Sequence, residues 1–283
     1  MNPPPNALAS AGLAVDQRPA RVAADVAADA GRSRGRLHAV PVRDVVSSSH
    51  WLAEAVYRGF EVLAAFFGLV AGLPLLLILA AMIRYDSPGP VFFLHQRPGR
   101  SRIMCGRDLK GRTDLLPPPG GFDADSFYYV PSYFTLAKFR TMYSDARTRF
   151  PDFYAYKYTP DEFHRQYPTI RHDPRVTRVG RVLRKLSVDE LPNLWSVLAG
   201  DLRLVGPRPE APEVLRYYRP EEMYKFAYKP GITGLAQING RGLLNWGETI
   251  GFDLQYVRTR SVGLDLKIIL MTLMRVSMRH GAF

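Results

Sequence analysis

The chain has 283 residues, enough for one sizeable domain with appendages or for two small domains. Its 38 Lys and Arg outnumber 26 Asp and Glu, and the net charge of +12 indicates an anionic partner: nucleic acid, an acidic membrane surface or a phosphorylated substrate. The single cysteine, Cys105, excludes an intrachain disulfide, and the six scattered histidines lack any metal-ligand spacing, so no structural metal is expected.

Residues 1–50 are rich in Ala, Pro and Arg and show no sustained hydrophobic period. A segment of this composition buries too little apolar surface to balance the entropy lost on folding, so it is predicted to be a disordered N-terminal extension. It also lacks an apolar core near Met1, so it is not expected to be a secretory signal peptide.

An uncharged apolar run of 22 residues, Val62 to Ile83, follows this extension. As a helix it would be about 33 Å long, close to the hydrocarbon thickness of a bilayer. Pro74 in its middle removes a backbone hydrogen bond and predicts a kink or break. Because Arg58 and Arg84 flank the run and basic residues prefer the cytoplasmic side, residues 51–85 are predicted to form a re-entrant membrane helix–break–helix. A spanning helix that contains a proline and the buried helix of a soluble protein are the alternatives.

The remaining residues, 86–283, are predicted to form a compact domain, which makes the chain α+β and mostly helical. Val91–Leu94 is predicted to be a short strand, and 101–133 to be loop. Apolar residues at helical spacing predict a helix within Val182–Leu198. Leu264–Met278 is apolar and basic, typical of an amphipathic surface helix that lies on a membrane or packs on the core.

The densest polar cluster of the chain runs from Arg184 to Glu190. The spacing Ser187-x-x-Glu190 is that of a capping box at a helix start, and the spacing alone favours this structural interpretation. A chemical interpretation stays open beside it. The adjacent carboxylates Asp189 and Glu190, next to basic residues, are able to hold a divalent cation and a phosphate. A carboxylate kept ionised by nearby cations can attack phosphorus to give an acyl phosphate.

Other cations occur within rigid Pro and Gly frames. Arg208 lies between two prolines, and the glycine-rich turn Lys229–Gly234 is followed by Arg241. Lys138 alternates with apolar residues, as in an edge strand. Each signal alone is weak, since exposed Arg and Lys are usually only solvated. Rigid frames nevertheless favour phosphate binding, because a fixed guanidinium makes two parallel hydrogen bonds.

In their order along the chain, the motifs resemble those of the bacterial sugar transferase family, the monotopic phosphoglycosyl transferases or polyprenyl-phosphate hexose-1-phosphate transferases. The resemblance covers Trp51 to the C-terminus and is specific, because several long motifs follow one apolar segment in the family's order. The matching motifs are QRPGR (Gln96–Arg100), KFRTM (Lys138–Met142), RVTRVGRVLRKLSVDELPNLWSVLAGD (Arg175–Asp201), LVGPRPE (Leu204–Glu210) and KPGITGLAQINGR (Lys229–Arg241).

The resemblance implies the transfer of a sugar-1-phosphate from a UDP-sugar to undecaprenyl phosphate. Asp189 would be the nucleophile that attacks the β-phosphorus, releases UMP and forms a phosphosugar-aspartyl intermediate, which the polyprenyl phosphate would attack in turn. Glu190 would assist as an acid/base or, together with Asp189, as a ligand of Mg²⁺. This ion would neutralise phosphate oxygens during the transfer.

The resemblance also implies where the substrates and the membrane lie. Pro74 matches the proline that breaks the family's re-entrant helix, which places the catalytic domain, 86–283, on the cytoplasmic face of the bacterial inner membrane. The reaction would be the first membrane step in the synthesis of an exopolysaccharide, an O-antigen or a glycoconjugate. The basic positions that surround the phosphates in the family are matched by Lys138, Arg184, Arg208 and Arg241.

The chain departs from the family's small members at 101–137 and 144–173, two stretches that are longer here and whose role the sequence leaves open. The multi-span N-terminal region of the larger members is not seen, so a small-form member is expected. The sugar, the pathway and the oligomeric state, a homo-oligomer included, cannot be read from the sequence.

A catalytically inactive membrane-tethered scaffold is the alternative function. A nucleic-acid-binding module is not expected, since no RRM, helix-turn-helix or zinc-finger signature occurs.

Overall fold

The computed structural model of the protein describes residues 37–41, 51–113, 115–116, 120–154, 158–167, 170, 172–240 and 243–277. Helices predominate over strands in this part of the chain, so the α+β fold class is confirmed. The helices are α1 (Trp51–Asp86), α2 (Gly106–Leu109), α3 (Ala146–Arg149), α4 (Pro160–Arg165), α5 (Arg178–Leu186), α6 (Asn193–Ala199), α7 (Leu235–Gly240), α8 (Trp246–Thr259) and α9 (Val262–Ser277). The strands are β1 (Leu37–His38), β2 (Val40–Pro41), β3 (Phe92–Cys105), β4 (Leu115–Leu116), β5 (Phe127–Phe139), β6 (Arg203–Val205) and β7 (Gly231–Thr233). Short 3₁₀ helices cover Pro151–Tyr154, Val188–Glu190, Pro212–Tyr217 and Pro220–Ala227.

Helix α1 is one continuous helix of 36 residues, and Pro74 is an interior residue of it. The predicted break therefore does not divide it into two helices. The proline lacks one N–H, but the hydrogen bonds of the turns around it keep the helix together. Large apolar side chains such as Phe67, Leu73 and Leu77 are exposed along its middle. Among the described residues, α1 is the one helix long and apolar enough to cross a membrane.

The first half of α1 is attached to the domain by charged side chains. Glu61 is fully buried, and its carboxylate accepts a hydrogen bond from the backbone N–H of Leu204 at 2.8 Å and pairs with Arg203 at 2.6 Å. Glu54, two turns earlier, pairs with Arg203 and with Arg260. These bonds hold the start of the helix against β6 and the α8–α9 connection.

The last turns of α1 contact the same domain. Leu79 and Ile83 are buried beside Phe139, the last residue of β5. The carboxylate of Asp86 accepts a hydrogen bond from the backbone N–H of Val179 in α5 at 3.1 Å. Both ends of this apolar helix therefore touch one folded domain.

Strands β3 and β5 form a long antiparallel hairpin, paired from Phe92↔Phe139 to Cys105↔Phe127. The strand predicted at Val91–Leu94 is therefore too short, and the loop predicted over 101–133 is limited to the connection between the two strands. The sequence does not show the alternation of apolar and polar residues that marks a half-buried strand. The reasons are that the register shifts between Pro98 and Ser101 and that three consecutive apolar residues, 92–94, are all exposed.

Residues 37–41 lie in the stretch predicted to be disordered, yet they belong to the fold. β2 pairs with β5 through Val40↔Tyr129, β1 pairs with β4, and Ala39 is buried in the core. The prediction of disorder is wrong for these residues, because strands much later in the chain supply contacts that local composition does not reveal. The rest of the predicted extension lies outside the described residues.

Two loops that carry cations are held together by glycines. β6 and β7 pair in parallel, and the segments after β6 and before β7 come into backbone contact. A Cβ on Gly231 would lie 2.1 Å from the nitrogen of Gly206, and a Cβ on Gly206 would lie 2.5 Å from the carbonyl oxygen of Lys229. Only glycine permits such an approach, which is why the loops of Arg208 and Lys229 are neighbours in space.

The stretch 144–173 contributes α4 to the core. Phe163 of α4 is 1% exposed, and its ring stacks on those of Tyr217 and Trp246 at centroid distances of 4.8 and 4.9 Å. The backbone N–H of Trp246 donates to the carbonyl oxygen of Gln166 at 2.9 Å. This stretch therefore determines where the first residue of α8 lies.

The segment Leu264–Met278 is predicted to form a helix that lies on a membrane or packs on the core, and helix α9 has features of both. Ile268 is fully buried, and the buried carboxylate of Asp265 accepts a hydrogen bond from the hydroxyl of Tyr256 at 2.6 Å. Leu270 and Leu273, on the other side of the helix, are exposed. The helix packs on the core and also presents an apolar surface, as expected of an amphipathic helix at a membrane.

The aromatic stack around α4 predicts a stability effect. Phe163→Ala should lower the free energy of unfolding by about 3–5 kcal/mol, because it removes a buried ring from between its neighbours. Thermal unfolding of the protein in detergent measures this loss. Phe127→Ala, at an exposed position of β5, is the control and should cost less than about 0.5 kcal/mol. Equal losses in the two variants would mean that α4 does not belong to the cooperative core.

Candidate active site

Asp189 and Glu190 lie in a tight turn between two helices. Helix α5 ends at Leu186, and Ser187 adopts a left-handed backbone conformation with φ of 60°. A single 3₁₀ turn, Val188–Glu190, follows, and the Ser187 side chain does not cap it. The capping-box interpretation is therefore wrong. A positive φ is uncommon outside glycine, and here it redirects the chain so that the two carboxylates project from the turn.

Glu190 forms an ion pair with Lys138, whose Nζ lies 2.5 Å from Oε1 of the carboxylate. Lys138 is the penultimate residue of β5, and the next residue, Phe139, is buried. Because successive side chains of a strand point to opposite faces, Lys138 is directed to the turn. Burial lowers the pKa of Lys138, Glu190 raises it, and the nearby cations Arg208 and Arg97 lower it again, with a downward net direction.

Asp189 differs from its neighbour because it forms no salt bridge in the described part of the chain. Burial raises the pKa of the Asp189 carboxyl and the charge of Glu190 raises it further, whereas Lys138 and Arg184 lower it. Arg184 is held in place by a hydrogen bond from its Nε to Oγ1 of Thr141 at 2.9 Å. The carboxylate of Asp189 is thus available, beside a second acid and within the field of two cations.

Arg208 is fixed by its two flanking prolines and by carboxylates on neighbouring elements. Its backbone N–H donates to Oδ1 of Asp253 at 3.4 Å. Burial lowers the pKa of the Arg208 guanidinium, but the charges of Glu190, Glu210 and Asp253 raise it, and the net direction is upward. The neighbouring carboxylates therefore favour the charged form of the guanidinium.

A buried ion-pair network lies next to Arg208, and sequence reasoning missed it. Lys225 is fully buried, with its Nζ 2.8 Å from Asp253 and 3.1 Å from Glu210, and it donates to the hydroxyl of Tyr218 at 3.2 Å. A buried ammonium group is tolerated only when it is paired in this way. No local pattern marks these residues, because they are far apart in the chain and each resembles an ordinary surface charge.

A cleft of about 170 Å³ brings several of these groups together. Lys138, Glu190 and Arg208 line it, as the sequence predicted. Asn193 and Gln237 line it too, and each has a buried side-chain oxygen without a hydrogen-bond partner in the described part of the chain. An unpaired buried oxygen is costly, so these two atoms are suited to accept hydrogen bonds from a ligand.

Two further residues complete the walls of the cleft. Arg97 comes from the QRPGR motif, and Trp246 is the residue that α4 holds in place. The sequence contained no signal for Trp246, since its position depends on the long-range stack on Phe163. Asp189 and Arg184 lie beside the cleft rather than in its lining, and Arg241 lies outside the described residues.

The donor atoms are compatible with Mg²⁺ if a substrate supplies part of the coordination. Among the described residues, no group of three or more His, Cys, Asp or Glu side chains is arranged to hold a metal. Mg²⁺ is, however, commonly bound by one or two carboxylates with water and substrate phosphates. Asp189 and Glu190 form such a pair, and their mutual repulsion, which contributes to the raised pKa of Asp189, would be relieved by a cation.

Adjacent carboxylates and cations around a cleft, on a domain attached to both ends of an apolar helix, define a membrane-associated enzyme that acts on phosphate groups. The model of a protein family described as bacterial sugar transferase matches residues 52–108 and 129–279. The chain therefore belongs to the bacterial sugar transferase family, and it is a phosphoglycosyl transferase. The unmatched residues, 109–128, fall within 101–137, one of the two stretches expected to be longer than in small members.

Individual relatives agree with this assignment. The chain is 33% identical to the exopolysaccharide production protein ExoY of Rhizobium meliloti (strain 1021) over 228 residues, 80% of this chain and 87% of that protein. It is 36% identical over 237 residues to the undecaprenyl-phosphate glucose phosphotransferase of Komagataeibacter xylinus, 80% of this chain and 36% of that protein. It is 31% identical over 227 residues to the undecaprenyl-phosphate galactose phosphotransferase of Salmonella typhimurium, 80% of this chain and 41% of that protein. The chain thus spans most of ExoY but less than half of the two larger proteins.

Proposed function

We propose that the protein transfers a sugar-1-phosphate from a UDP-sugar to undecaprenyl phosphate and releases UMP. Family membership and two relatives named as undecaprenyl-phosphate sugar phosphotransferases support this reaction. The likeness to ExoY, named for exopolysaccharide production, favours the first membrane step of a polysaccharide pathway. The alternative of an inactive scaffold is disfavoured, because a scaffold would not need the paired carboxylates and cations around the cleft.

The nucleophile is assigned from the different ion pairing of the carboxylates of Asp189 and Glu190. Glu190 is bound to Lys138 at 2.5 Å, whereas Asp189 forms no salt bridge in the part of the chain that the structure describes. A nucleophile needs an oxygen lone pair that is not already engaged. Asp189 is therefore the nucleophile, and Glu190 is its partner, as an acid/base or as a ligand of Mg²⁺.

The reaction then proceeds in two steps, in which first Asp189 and then undecaprenyl phosphate attacks the β-phosphorus. An oxygen of Asp189 forms a bond to the β-phosphorus of the UDP-sugar, the bond from this phosphorus to the bridging oxygen breaks, and UMP leaves with the electron pair. An oxygen of undecaprenyl phosphate next attacks the same phosphorus. The acyl-phosphate bond breaks, the lipid diphosphosugar is released, and Asp189 returns to its carboxylate form.

The cations around the cleft are placed to hold the diphosphate of the donor. Lys138 and Arg208 line the cleft, and Arg184 lies near Asp189. Fixed cations stabilise the negative charge that builds up on phosphoryl oxygens during transfer. A role for Arg241 remains a prediction from the resemblance alone. When bound by Asp189 and Glu190, Mg²⁺ would supply further positive charge to the diphosphate.

The contacts of α1 support a re-entrant position in the membrane. Glu54, near its first residue, and Asp86, its last residue, both bond to the same domain, while apolar side chains in the middle are exposed. A helix that crosses a bilayer places its ends on opposite sides, where one polar domain cannot reach both. The helix therefore dips into the inner membrane from the cytoplasmic face, where UDP-sugars are available, and Pro74 lies in the dipping part.

The covalent step predicts the behaviour of an Asp189→Asn variant. Its amide is not a nucleophile towards phosphorus, so release of UMP from a UDP-sugar should fall by at least about 10³-fold while the protein stays in the membrane fraction. Mass spectrometry of wild-type protein quenched without acceptor should find the hexose phosphate on the peptide that contains Asp189. Normal UMP release by the variant would contradict the assigned nucleophile.

The position of Lys138 predicts a shift in the pH profile. Asp189 must be ionised to attack, and Lys138 is one of the charges that lower its pKa. Lys138→Met should therefore raise this pKa further, so that the acid limb of kcat/KM moves to higher pH. Lys185→Met, at an exposed position of α5, is the matched control and should leave the limb in place. An acid limb that moves to lower pH in Lys138→Met would contradict the electrostatic role of this lysine.

The re-entrant position predicts the accessibility of both ends of α1. Single cysteines are placed at Ser49→Cys and at Tyr85→Cys, which is 91% exposed, in a Cys105→Ser background that removes the native thiol. A membrane-impermeant thiol reagent should label both sites in inverted vesicles and neither site in cells with a permeabilised outer membrane. Labelling of the two sites from opposite sides would show that α1 crosses the membrane.

A further inference from the structure

A second pocket, of about 310 Å³, lies at the start of α1 and shares no lining residue with the catalytic cleft. It is strongly basic. Four of its lining residues are the cations Arg58, Arg100, Arg203 and Lys229, and Glu54 is the carboxylate among them. The catalytic assignment gives this pocket no role.

The acids near the pocket leave part of its positive charge unbalanced. Glu54 pairs with Arg203 and Arg260, and Glu61 pairs with Arg58 and Arg203, so two carboxylates are shared among three arginines. In the described part of the chain, neither Arg100 nor Lys229 forms an ion pair. An excess of positive charge around an open volume is the electrostatic signature of an anion site.

The crowding of cations is visible at Lys229. Burial lowers the pKa of its ammonium group, and the charges of Arg58, Arg100 and Arg203 lower it further; Asp201 raises it, but the net direction is downward. A bound anion would reverse this repulsion, because it would place negative charge among four positive groups.

Two of the cations are held rigidly by neutral acceptors at the end of α6. Lys229 donates from Nζ to the carbonyl oxygen of Gly200 at 2.6 Å, and Arg58 donates to the carbonyl oxygen of Val197. These contacts by themselves would be explained as capping of a helix C-terminus. They do not account for Arg100, an exposed residue of β3 whose side chain makes no hydrogen bond or ion pair in the described part of the chain.

The pocket lies at the level where the apolar helix begins. Glu54, Ala55 and Arg58 line it from the first turns of α1, and Leu52 and Val56 are exposed on the other side of the same turns. Basic groups at the entrance of an apolar helix meet the phosphates of the lipid headgroups.

We propose that this pocket binds the phosphate of a lipid headgroup. Arg100 and Lys229 contact the phosphate oxygens, and Arg58 and Arg203 form the basic wall behind them. A polyprenyl phosphate and an anionic phospholipid both present this chemistry. The inference rests on the proposed position of α1 at the membrane and not on the role of Asp189.

Native mass spectrometry of the detergent-solubilised full chain tests the proposal without any turnover. The protein is titrated separately with undecaprenyl phosphate, with phosphatidylglycerol and with zwitterionic phosphatidylcholine. Arg100→Gln should weaken binding of one anionic lipid about tenfold, the effect of losing one charge-assisted hydrogen bond. Arg102→Gln removes an exposed arginine from the same strand outside the pocket and is the matched control, with unchanged binding expected.

The lipid whose affinity falls in Arg100→Gln identifies the occupant. A selective loss for undecaprenyl phosphate assigns the pocket to the acceptor, and a selective loss for phosphatidylglycerol assigns it to a membrane lipid. If Arg100→Gln and Arg102→Gln bind all three lipids like the wild type, the proposal is overturned. Because release of UMP in the absence of acceptor is measured on the same samples, a failure of the catalytic proposal would be recognised independently.

Discussion

The ion pair between Lys138 and Glu190 is the contact on which the active site depends. It joins the end of the β3–β5 hairpin to the turn between α5 and α6, two elements that the chain forms separately. It also makes two adjacent carboxylates chemically different. Glu190 has a counterion at 2.5 Å, while Asp189, at the next position, keeps an oxygen available beside two cations. Without this pairing, two equivalent acids would compete for the same cations, and the structure would give no reason to propose one of them as the nucleophile.

The attachment of α1 is a second constraint, because it determines how the catalytic domain meets the membrane. A buried glutamate such as Glu61 is tolerated only with full compensation, which Arg203 and the backbone of Leu204 provide. The same helix is bound at its other end through Asp86. Polar contacts at both ends and an exposed apolar middle are consistent with a helix whose central turns are in lipid and whose ends stay with the domain. The exposed leucines of α9 add a second apolar surface.

Two segments of the chain contribute residues to both the catalytic cleft and the basic pocket. The QRPGR motif supplies Arg97 to the cleft and Arg100 to the pocket, and the segment around Lys229 contributes to both through Lys229 and Gly231. Gly206 and Gly231 also bring the segment of Lys229 into backbone contact with the segment that precedes Arg208. A donor site and a lipid phosphate site that share two segments would suit the proposed reaction, which joins a soluble substrate to a membrane-bound one.

Local patterns in the sequence determined a good part of this protein: the apolar helix with its flanking arginines, the Asp189–Glu190 pair, and the motif cations, of which Lys138 and Arg208 do line the cleft. These features are visible because a single run or motif carries them. Tertiary structure alone decided the rest. It placed Lys138 against Glu190, buried Lys225 between Asp253 and Glu210, and set Trp246 in the wall of the cleft by stacking it on Phe163. It also paired residues 37–41 with strands β4 and β5. Each of these outcomes depends on contacts between residues far apart in the chain, and hydrophobic periodicity and local propensity contain no information about such contacts.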